Sequence, residues 1–190
     1  MKPTELKLKK CSVCKQLFPL FQTTQMVCSI KCAAEAARRK REKEERLEAK
    51  RQRQQTREAK DKAKTLTERK DDLKFWFNKF IRLRDRDEPC ISCGTRNPNI
   101  VYAAGHYRTT KAASHLRFNE DNVHKQCNEY CNRKLSGNIT NYRINLIKKI
   151  GVERVEALEN DNRTYRYTHE ELKQLIAHYK MKCKQLSKGD

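Results

Sequence analysis

Two cysteine-containing stretches decide the fold of the larger part of this chain: Pro89-Cys-Ile-Ser-Cys-Gly94 and Gln126-Cys-Asn-Glu-Tyr-Cys-Asn132. The first pair of cysteines encloses two residues and the second pair encloses three. Zinc prefers four soft or borderline ligands at tetrahedral corners, and two short-spaced pairs can aim four thiolates at one point. Because such a site has no open coordination position, its zinc is expected to stabilise the fold and not to catalyse. The predicted ligands are Cys90, Cys93, Cys127 and Cys131.

A second set of four cysteines lies near the N-terminus, again as one pair enclosing two residues and one enclosing three. The start of the sequence lacks an apolar signal stretch, and in such a chain paired cysteines are more often metal ligands than disulfides. The alternative, two groups of reduced buried cysteines, does not explain why the paired spacing occurs twice. We predict a second structural zinc, in a finger module over residues 1–37, held by Cys11, Cys14, Cys28 and Cys32.

The charge of the chain predicts a polyanionic partner. Among 190 residues there are 44 Lys plus Arg and 24 Asp plus Glu, which gives a formal charge of +20. Such an excess points to nucleic acid. Hydrophobic residues make up 36% of the chain, too few for one large core, and no apolar window is long enough to span a membrane. We therefore expect small packed units, no membrane insertion and no secretion.

Residues 38–70 separate the finger module from the rest of the chain. The segment has 15 basic and 7 acidic residues and almost nothing to bury. Its Lys, Arg, Glu, Gln and Ala content favours a long solvated helix, although a disordered charged linker fits the same composition. The segment lacks a sustained apolar heptad, so we expect a spacer rather than a coiled coil. After it we place a zinc-stabilised core over 71–138 and a helical region over 139–190.

The apolar spacing beyond residue 70 predicts an α+β chain that is small and mainly helical. Residues 71–87 read as an amphipathic helix, 100–107 as a strand, and 122–134 as a turn followed by a helix. Two helices separated by Gly151 follow, and Thr168 with Glu171 forms the capping box of a final helix. Cys183 falls on the apolar stripe of that last helix, which predicts a buried thiol.

Polar residues between and beside the core cysteines are candidates for chemistry on phosphodiesters. An imidazole titrates near neutrality and can accept a proton from water, so His106 is a candidate general base, with a structural hydrogen-bond donor as the alternative. Arginine and lysine side chains nearby can bind phosphate oxygens. The predicted DNA contacts are Arg108, Lys125, Arg133 and Lys134.

The arrangement resembles a zinc-stabilised HNH, or ββα-metal, nuclease: a knuckle, a hairpin ending in a His, then an Asn before a second knuckle. More closely, Ala104-Gly-His-Tyr-Arg-Thr-Thr110, Leu116-Arg-Phe-Asn-Glu120, His124-Lys-Gln-Cys127 and Ser136-Gly-Asn138 resemble the NinG family, also called Rap, of lambdoid phages. With the N-terminal cysteines and the charged segment, the similarity covers nearly the whole chain. The layout is also similar to that of a phage junction-resolving endonuclease in which two knuckles flank a catalytic hairpin.

The resemblance implies roles for individual residues. His106 matches the general base, Asn122 the residue that ties the hairpin to the next helix, and Asn132 the ligand of a catalytic Mg²⁺ or Mn²⁺. Many HNH enzymes have an Asp ligand directly before the base, where this chain has Gly105. The remaining ligands are open: His124, Asp121, Glu120 or water could complete the shell, and His124 could instead cap a helix or bind phosphate.

The resemblance also implies a recombination endonuclease that cuts branched DNA, including Holliday junctions and D-loops. A non-catalytic zinc-finger DNA-binding accessory protein of recombination is the alternative, and Gly105 is its best support. A nuclease that acts on ordinary duplex is a third option, because positive charge attracts DNA of any shape. We expect a homodimer, since a four-way junction has approximate two-fold symmetry, and host or phage recombination proteins as further partners.

Overall fold

The computed structural model describes residues 7–187 and divides into two compact units, one up to Ala63 and one from Lys64 onward. Helices predominate, and the two sheets within the described residues are both two-stranded, so the prediction of a mixed, mainly helical chain is confirmed. None of the described helices is long and apolar enough to cross a membrane. In chain order the elements are β1 (Leu8–Lys10), β2 (Leu17–Pro19), α1 (Ile30–Ala63), α2 (Leu66–Arg84), β3 (Tyr102–His106), β4 (Val123–Cys127), α3 (Ile139–Ile150), α4 (Val152–Asn160) and α5 (His169–Leu186).

The first unit consists of a short hairpin and one long helix. Strands β1 and β2 pair antiparallel, with Leu8 opposite Pro19. No residue of α1 is buried, so tertiary packing does not stabilise this helix. Ion pairs one turn apart, such as those of Glu35 with Arg38 and Arg39, contribute instead. Exposed pairs of this kind contribute little each, so helix propensity provides most of the stability.

The predicted helix in the charged segment is present up to Ala63, and the alternative of a disordered linker is not what the structure shows. The following helix, α2, begins at Leu66 and not at residue 71 as the periodicity suggested. Its start is fixed by a capping box, in which the Thr65 hydroxyl accepts from the backbone N–H of Glu68 and the Glu68 carboxylate accepts from the backbone N–H of Thr65. Such a box satisfies two orphan donors of the first turn.

An antiparallel hairpin of β3 and β4 forms the centre of the second unit. Its register places His106 opposite Val123, Gly105 opposite His124, and Tyr102 opposite Cys127. The expectation of a turn and helix over 122–134 is therefore wrong in its first half, where β4 lies. A π-helical turn at Asn128–Lys134 follows the strand and carries the last cysteine of the core set.

Two apolar cores flank this hairpin. The first joins α2 and α5 to the hairpin, and the second joins α3 and α4 to the segment that follows β3. The predicted final helix is confirmed, with the Thr168 and Glu171 capping box at its start and Cys183 buried on its inner face. The fully buried members of the two cores are Leu73, Phe77, Ile81, Val123 and Leu172 in the first and Tyr142, Leu146 and Val155 in the second.

Candidate active site and metal centres

The core cysteines converge to a geometry that suits zinc. The four Sγ atoms of Cys90, Cys93, Cys127 and Cys131 all lie within 4.8 Å of one another, and the Cys93 and Cys127 sulfurs are 3.8 Å apart. Four thiolates around Zn²⁺ at about 2.3 Å would be roughly 3.8 Å from each other. The donor set therefore fits a closed, structural zinc site.

Backbone groups of the two knuckles support the thiolate form. The N–H of Cys127 donates to Cys90 Sγ at 3.3 Å, and the N–H of Cys131 donates to Cys127 Sγ at 3.3 Å. Burial disfavours a charged sulfur, yet the backbone N–H groups of Cys93 and Cys127 lower the pKa of Cys90 below its ordinary value. Gly94, with φ of 71°, adopts the left-handed conformation that the turn needs.

The N-terminal cysteines form a second cluster of the same kind. Their sulfurs also lie within 4.8 Å of one another, with Cys14 and Cys28 separated by 3.5 Å and Cys28 and Cys32 by 3.7 Å. Cys11 and Cys14 lie in the connection of the first hairpin, while Cys32 is in the first turn of α1. This set could hold a zinc that joins the hairpin to the helix.

His106 is the last residue of β3, and one of its ring nitrogens is held by the backbone. Nε2 lies 3.0 Å from the carbonyl oxygen of Arg117. Because a carbonyl can only accept, Nε2 carries the proton and donates, which leaves the lone pair of a neutral ring on Nδ1. Nδ1 has no hydrogen-bond partner among the described residues. The side chain is partly exposed, so this lone pair is available to a water molecule.

The surroundings of His106 favour the neutral, basic form of the ring. Burial lowers the pKa of His106, and the positive charges of Arg117 and Lys74 lower it further, while the hydrogen bond to the Arg117 carbonyl acts in the opposite direction. A lowered pKa keeps the imidazole unprotonated at neutral pH, which is the state that a general base requires.

Asn122 clamps the chain that leaves the His106 strand. It is fully buried, and its Oδ1 accepts from the N–H of Arg108 at 2.7 Å. Its Nδ2 donates to the carbonyl oxygens of Arg108 at 3.0 Å and Leu116 at 3.1 Å. Asn122 thus ties the start of β4 to the segment after β3 and fixes the backbone around His106.

His124 is buried, and both of its ring nitrogens are occupied. Nε2 donates to the Asp121 carbonyl at 3.1 Å, and Nδ1 accepts from Arg84 Nη2 at 2.9 Å. Burial lowers the pKa of His124, Arg84 and Lys149 lower it as well, and nearby Asp85 opposes them. In this arrangement neither nitrogen faces a metal or a phosphate, so the geometry gives His124 a positioning role.

The side chain of Gln126 fills the space that any residue with a Cβ would need at position 105. A Cβ built on Gly105 would lie 2.8 Å from Gln126 Cβ and would also collide with Gln126 Oε1. Gln126 is fully buried, and its Nε2 donates to Ser92 Oγ at 2.6 Å and to the Gly137 carbonyl at 2.5 Å. No described residue donates to its Oε1. The amide side chain of Gln126 therefore fills the space that a side chain at position 105 would need.

Asn132 lies in the turn that follows β4, whereas His106 ends β3. Asn132 follows Cys131 in the cysteine cluster, and its Nδ2 donates to Asn128 Oδ1 at 3.3 Å. Tyr102, opposite Cys127, begins the strand that His106 ends, and four strand residues span about 13 Å. The structure brings His106 and Asn122 to one end of the hairpin.

The predicted phosphate-binding residues differ in their availability. Arg108 donates from Nη1 to the carbonyls of Leu158 at 2.8 Å, in the last turn of α4, and of Asp161 at 2.6 Å, directly after it. Lys125 donates to the carbonyls of Arg86 and Glu88 and lies 4.4 Å from the Tyr102 ring centroid. Both side chains thus hold the fold together. The exposed members of the predicted set are Arg133, which pairs with Glu129, and Lys134.

Residues that position the hairpin were missed by the sequence analysis. Asp85 is buried and accepts from Arg84 and from the backbone N–H of Lys125, and Arg84 also donates to the Val123 carbonyl at 2.8 Å. Burial disfavours the Asp85 carboxylate, yet Arg84 and His124 hold its pKa well below the usual range. The only signal in the sequence was an Arg-Asp pair at the end of an amphipathic helix, which is typical of an exposed helix terminus.

Comparison with known proteins assigns the chain to a phage family. Residues 3–189 match the family model described as Bacteriophage Lambda NinG protein. The chain belongs to the NinG family. The match covers both cysteine clusters, α1 and the whole hairpin unit, so the resemblance in the sequence motifs is confirmed at the level of the family.

Curated relatives agree over nearly their full length. Protein ninG of Escherichia phage lambda is 48% identical over 184 residues, which are 91% of this chain and 89% of that protein. Protein ninG of Salmonella phage P22 is 47% identical over 184 residues, covering 91% of this chain and 90% of the relative. Protein ninG of Escherichia phage 933W is 46% identical over 189 residues. No solved structure matches the chain.

Proposed function

We propose that this NinG family member is a metal-dependent endonuclease that cuts branched DNA, such as Holliday junctions and D-loops, inside the host cell. One observation carries the proposal. His106 is held by its Nε2–H at the end of a hairpin, with a lowered pKa and with no partner for Nδ1 among residues 7–187. The strand with this His, the buried Asn122 before the next strand and the cysteine cluster after it follow the order of an HNH nuclease.

In the proposed reaction, His106 Nδ1 accepts a proton from the water that attacks the phosphodiester. The Arg117 carbonyl keeps the ring oriented and fixes which nitrogen is basic. Asn122 holds the loop that carries this arrangement. A divalent ion, when bound, would offset the charge that develops on phosphate oxygens.

The ligands for that ion are the least conventional part of the site. Mg²⁺ or Mn²⁺ requires oxygen donors, and the position before His106 provides none because it is glycine. Glu120 and Asp121 lie just before Asn122, at the His106 end of the hairpin. Their carboxylates pair with Lys182 and Arg154. Their carboxylate oxygens are donors of the kind that a hard cation prefers.

The test compares a labelled four-way junction with linear duplexes of the same arm sequences, using zinc-loaded protein with and without Mg²⁺. The proposal predicts Mg²⁺-dependent incision near the branch point and little cutting of the duplexes. Equal cutting of both substrates would make the protein a duplex nuclease. Absence of any Mg²⁺- or Mn²⁺-dependent cleavage of junctions and D-loops would overturn the proposal.

A second candidate function is a non-catalytic DNA-binding accessory protein of recombination. The filling of the Gly105 position by Gln126 favours it, because this chain cannot place a carboxylate there without repacking. Tight junction binding without cleavage by wild-type protein would support this function. A homodimer in complex with the junction fits either function, and light scattering of the complex would measure its stoichiometry.

A further inference from the structure

Helices α2 and α5 pack against each other and present one strongly basic surface. From Lys74 to its end, α2 has no acidic residue, and neither does α5 after Glu171. Arg84 and Lys182 of this surface pair with Asp85 and Glu120. The other basic side chains form no ion pair within residues 7–187. They are Lys74, Lys79 and Arg82 on α2 and Lys173, Lys180 and Lys184 on α5.

An aromatic side chain projects from the middle of this basic surface. Phe75 is 58% exposed, although phenylalanine normally contributes its large apolar area to a core. Its ring meets Trp76 edge to face, with ring centroids 5.2 Å apart. Trp76 in turn lies under Lys79 of the same helix and Lys180 of α5, with ammonium to centroid distances of 5.4 and 5.3 Å. Phe75 is thus held in place by a neighbour while one side of it remains open.

Phe75 and two basic residues form a stripe along one face of α2. Phe75, Lys79 and Arg82 are four and three residues apart, which places them on one exposed face of the helix. Lys74, directly before Phe75, lies near enough to His106 for its charge to affect the imidazole.

We infer that Phe75 is a stacking platform for an unpaired base of a nucleic acid, and that the lysines and arginine around it bind the phosphates of the same strand. The inference rests on the proposed function, since it says which part of a branched substrate contacts which part of the protein. The displaced strand of a D-loop, and bases that lose their pairing or stacking when a junction opens at its branch point, expose a face that can stack on an aromatic ring, whereas bases inside a duplex arm do not. Exposed aromatic rings within a basic groove are the common means of binding such segments.

Charge argues against other occupants of this surface. A second copy of the chain would bring two basic faces together, with like charges opposed. The basic side chains that form no ion pair within residues 7–187 surround one exposed ring. This combination fits a polyanion whose bases can also stack. Nucleic acid is the partner that combines both properties.

The test measures binding of the full-length, zinc-loaded protein to a four-way junction, with Ca²⁺ in place of Mg²⁺ to prevent cleavage. The base analogue 2-aminopurine is placed either at the branch point or within an arm, because its fluorescence reports stacking. Phe75→Ala is compared with Phe75→Trp and with Ile144→Ala. Ile144 is a matched control because it is a 49% exposed apolar residue on α3 of the same unit. Circular dichroism and zinc content check that each variant is folded.

We expect Phe75→Ala to weaken junction binding about 5- to 100-fold and to abolish the fluorescence change at the branch point, while Phe75→Trp and Ile144→Ala retain both. A Phe75→Ala variant with wild-type affinity and the wild-type fluorescence change would overturn this inference and leave the proposed function standing. Wild-type protein that binds neither junctions nor single strands would overturn both. A Phe75→Ala variant that keeps DNA binding but loses self-association would reassign the surface to contacts between copies.

Discussion

The amide of Gln126 fills the space beside Gly105, so that the two residues act as one packing unit across the hairpin. A side chain at Gly105 would collide with Gln126 Oε1 and Cβ, and Gln126 itself is anchored by Ser92 and the Gly137 carbonyl. The Gly105 backbone is further fixed by Tyr142, whose hydroxyl donates to its carbonyl at 3.0 Å. The glycine is thus needed for space at the residue next to His106.

We predict that Gly105→Ala lowers the free energy of unfolding, because the overlap lies within a packed core. Overpacking of this kind costs about 1–3 kcal/mol. Gln126→Ala should also destabilise, since it leaves Ser92 and the Gly137 carbonyl without their donor. Urea unfolding of both single variants and the double variant measures the coupling. The double variant should be more stable than the sum of the two single effects predicts, and simple additivity would contradict the packing relationship.

Zinc content provides a second prediction. Each cysteine cluster has the sulfur spacing of a tetrahedral site, so the purified protein should contain two Zn²⁺ per chain by elemental analysis. Cys131→Ser should lose one equivalent and unfold the hairpin unit, because metal binding there contributes to folding. Cys28→Ser should lose the other equivalent and leave the circular dichroism of the hairpin unit intact. Wild-type protein with less than one zinc would rule out this account of the clusters.

Asn122 should be critical for the stability of the His106 loop. Its side chain makes three hydrogen bonds in a fully buried site, and alanine would leave their backbone partners unsatisfied. We expect Asn122→Ala to cost about 2–4 kcal/mol of unfolding free energy. The exposed Asn141, whose Nδ2 bonds only to Asn138, provides the control, since Asn141→Ala should change stability by less than about 0.5 kcal/mol. Equal losses of unfolding free energy in the two variants would contradict the role of Asn122 in holding the His106 loop.

The pKa of His106 should respond to the charge of Lys74. The positive charge disfavours the imidazolium, so its removal in Lys74→Gln should raise the pKa of His106. Nuclear magnetic resonance titration of the imidazole measures this without any need for activity. Lys79→Gln is the control, because Lys79 lies over Trp76 and is not among the groups that shift His106. If His106 accepts the proton, the cleavage rate should fall as the pH drops through the pKa of His106. In Lys74→Gln this fall in rate should occur at higher pH.

Local patterns in the sequence predicted several elements of the fold, because the physics that sets them is local. The cysteine pairs and the Thr168 capping box depend on spacings of a few residues. The same capping signature at Thr65 was overlooked since it lies within a run of charged residues. Strand β4 was missed because His124 and Gln126, both polar, occupy buried positions of the strand. A pattern based on hydrophobicity does not identify such a strand.

The candidate site was only partly predictable: the role of Asn122 was implied by the family resemblance, because its partners Arg108 and Leu116 lie 14 and 6 residues away. It was less predictable where a side chain finds its partner far along the chain. Arg108 donates to carbonyls some 50 residues later, and Lys125 donates to carbonyls before the first knuckle. Sequence alone does not distinguish an arginine whose guanidinium stabilises the fold from one whose guanidinium is free to bind phosphate.

The most direct test of the central claim is single-turnover cleavage of a four-way junction by wild-type protein and His106→Ala in Mg²⁺. Junction affinity in Ca²⁺ and zinc content are measured on the same preparations. The account predicts that His106→Ala cuts about 10²- to 10⁴-fold more slowly while binding and zinc content stay unchanged. Cleavage by His106→Ala at the wild-type rate would contradict it.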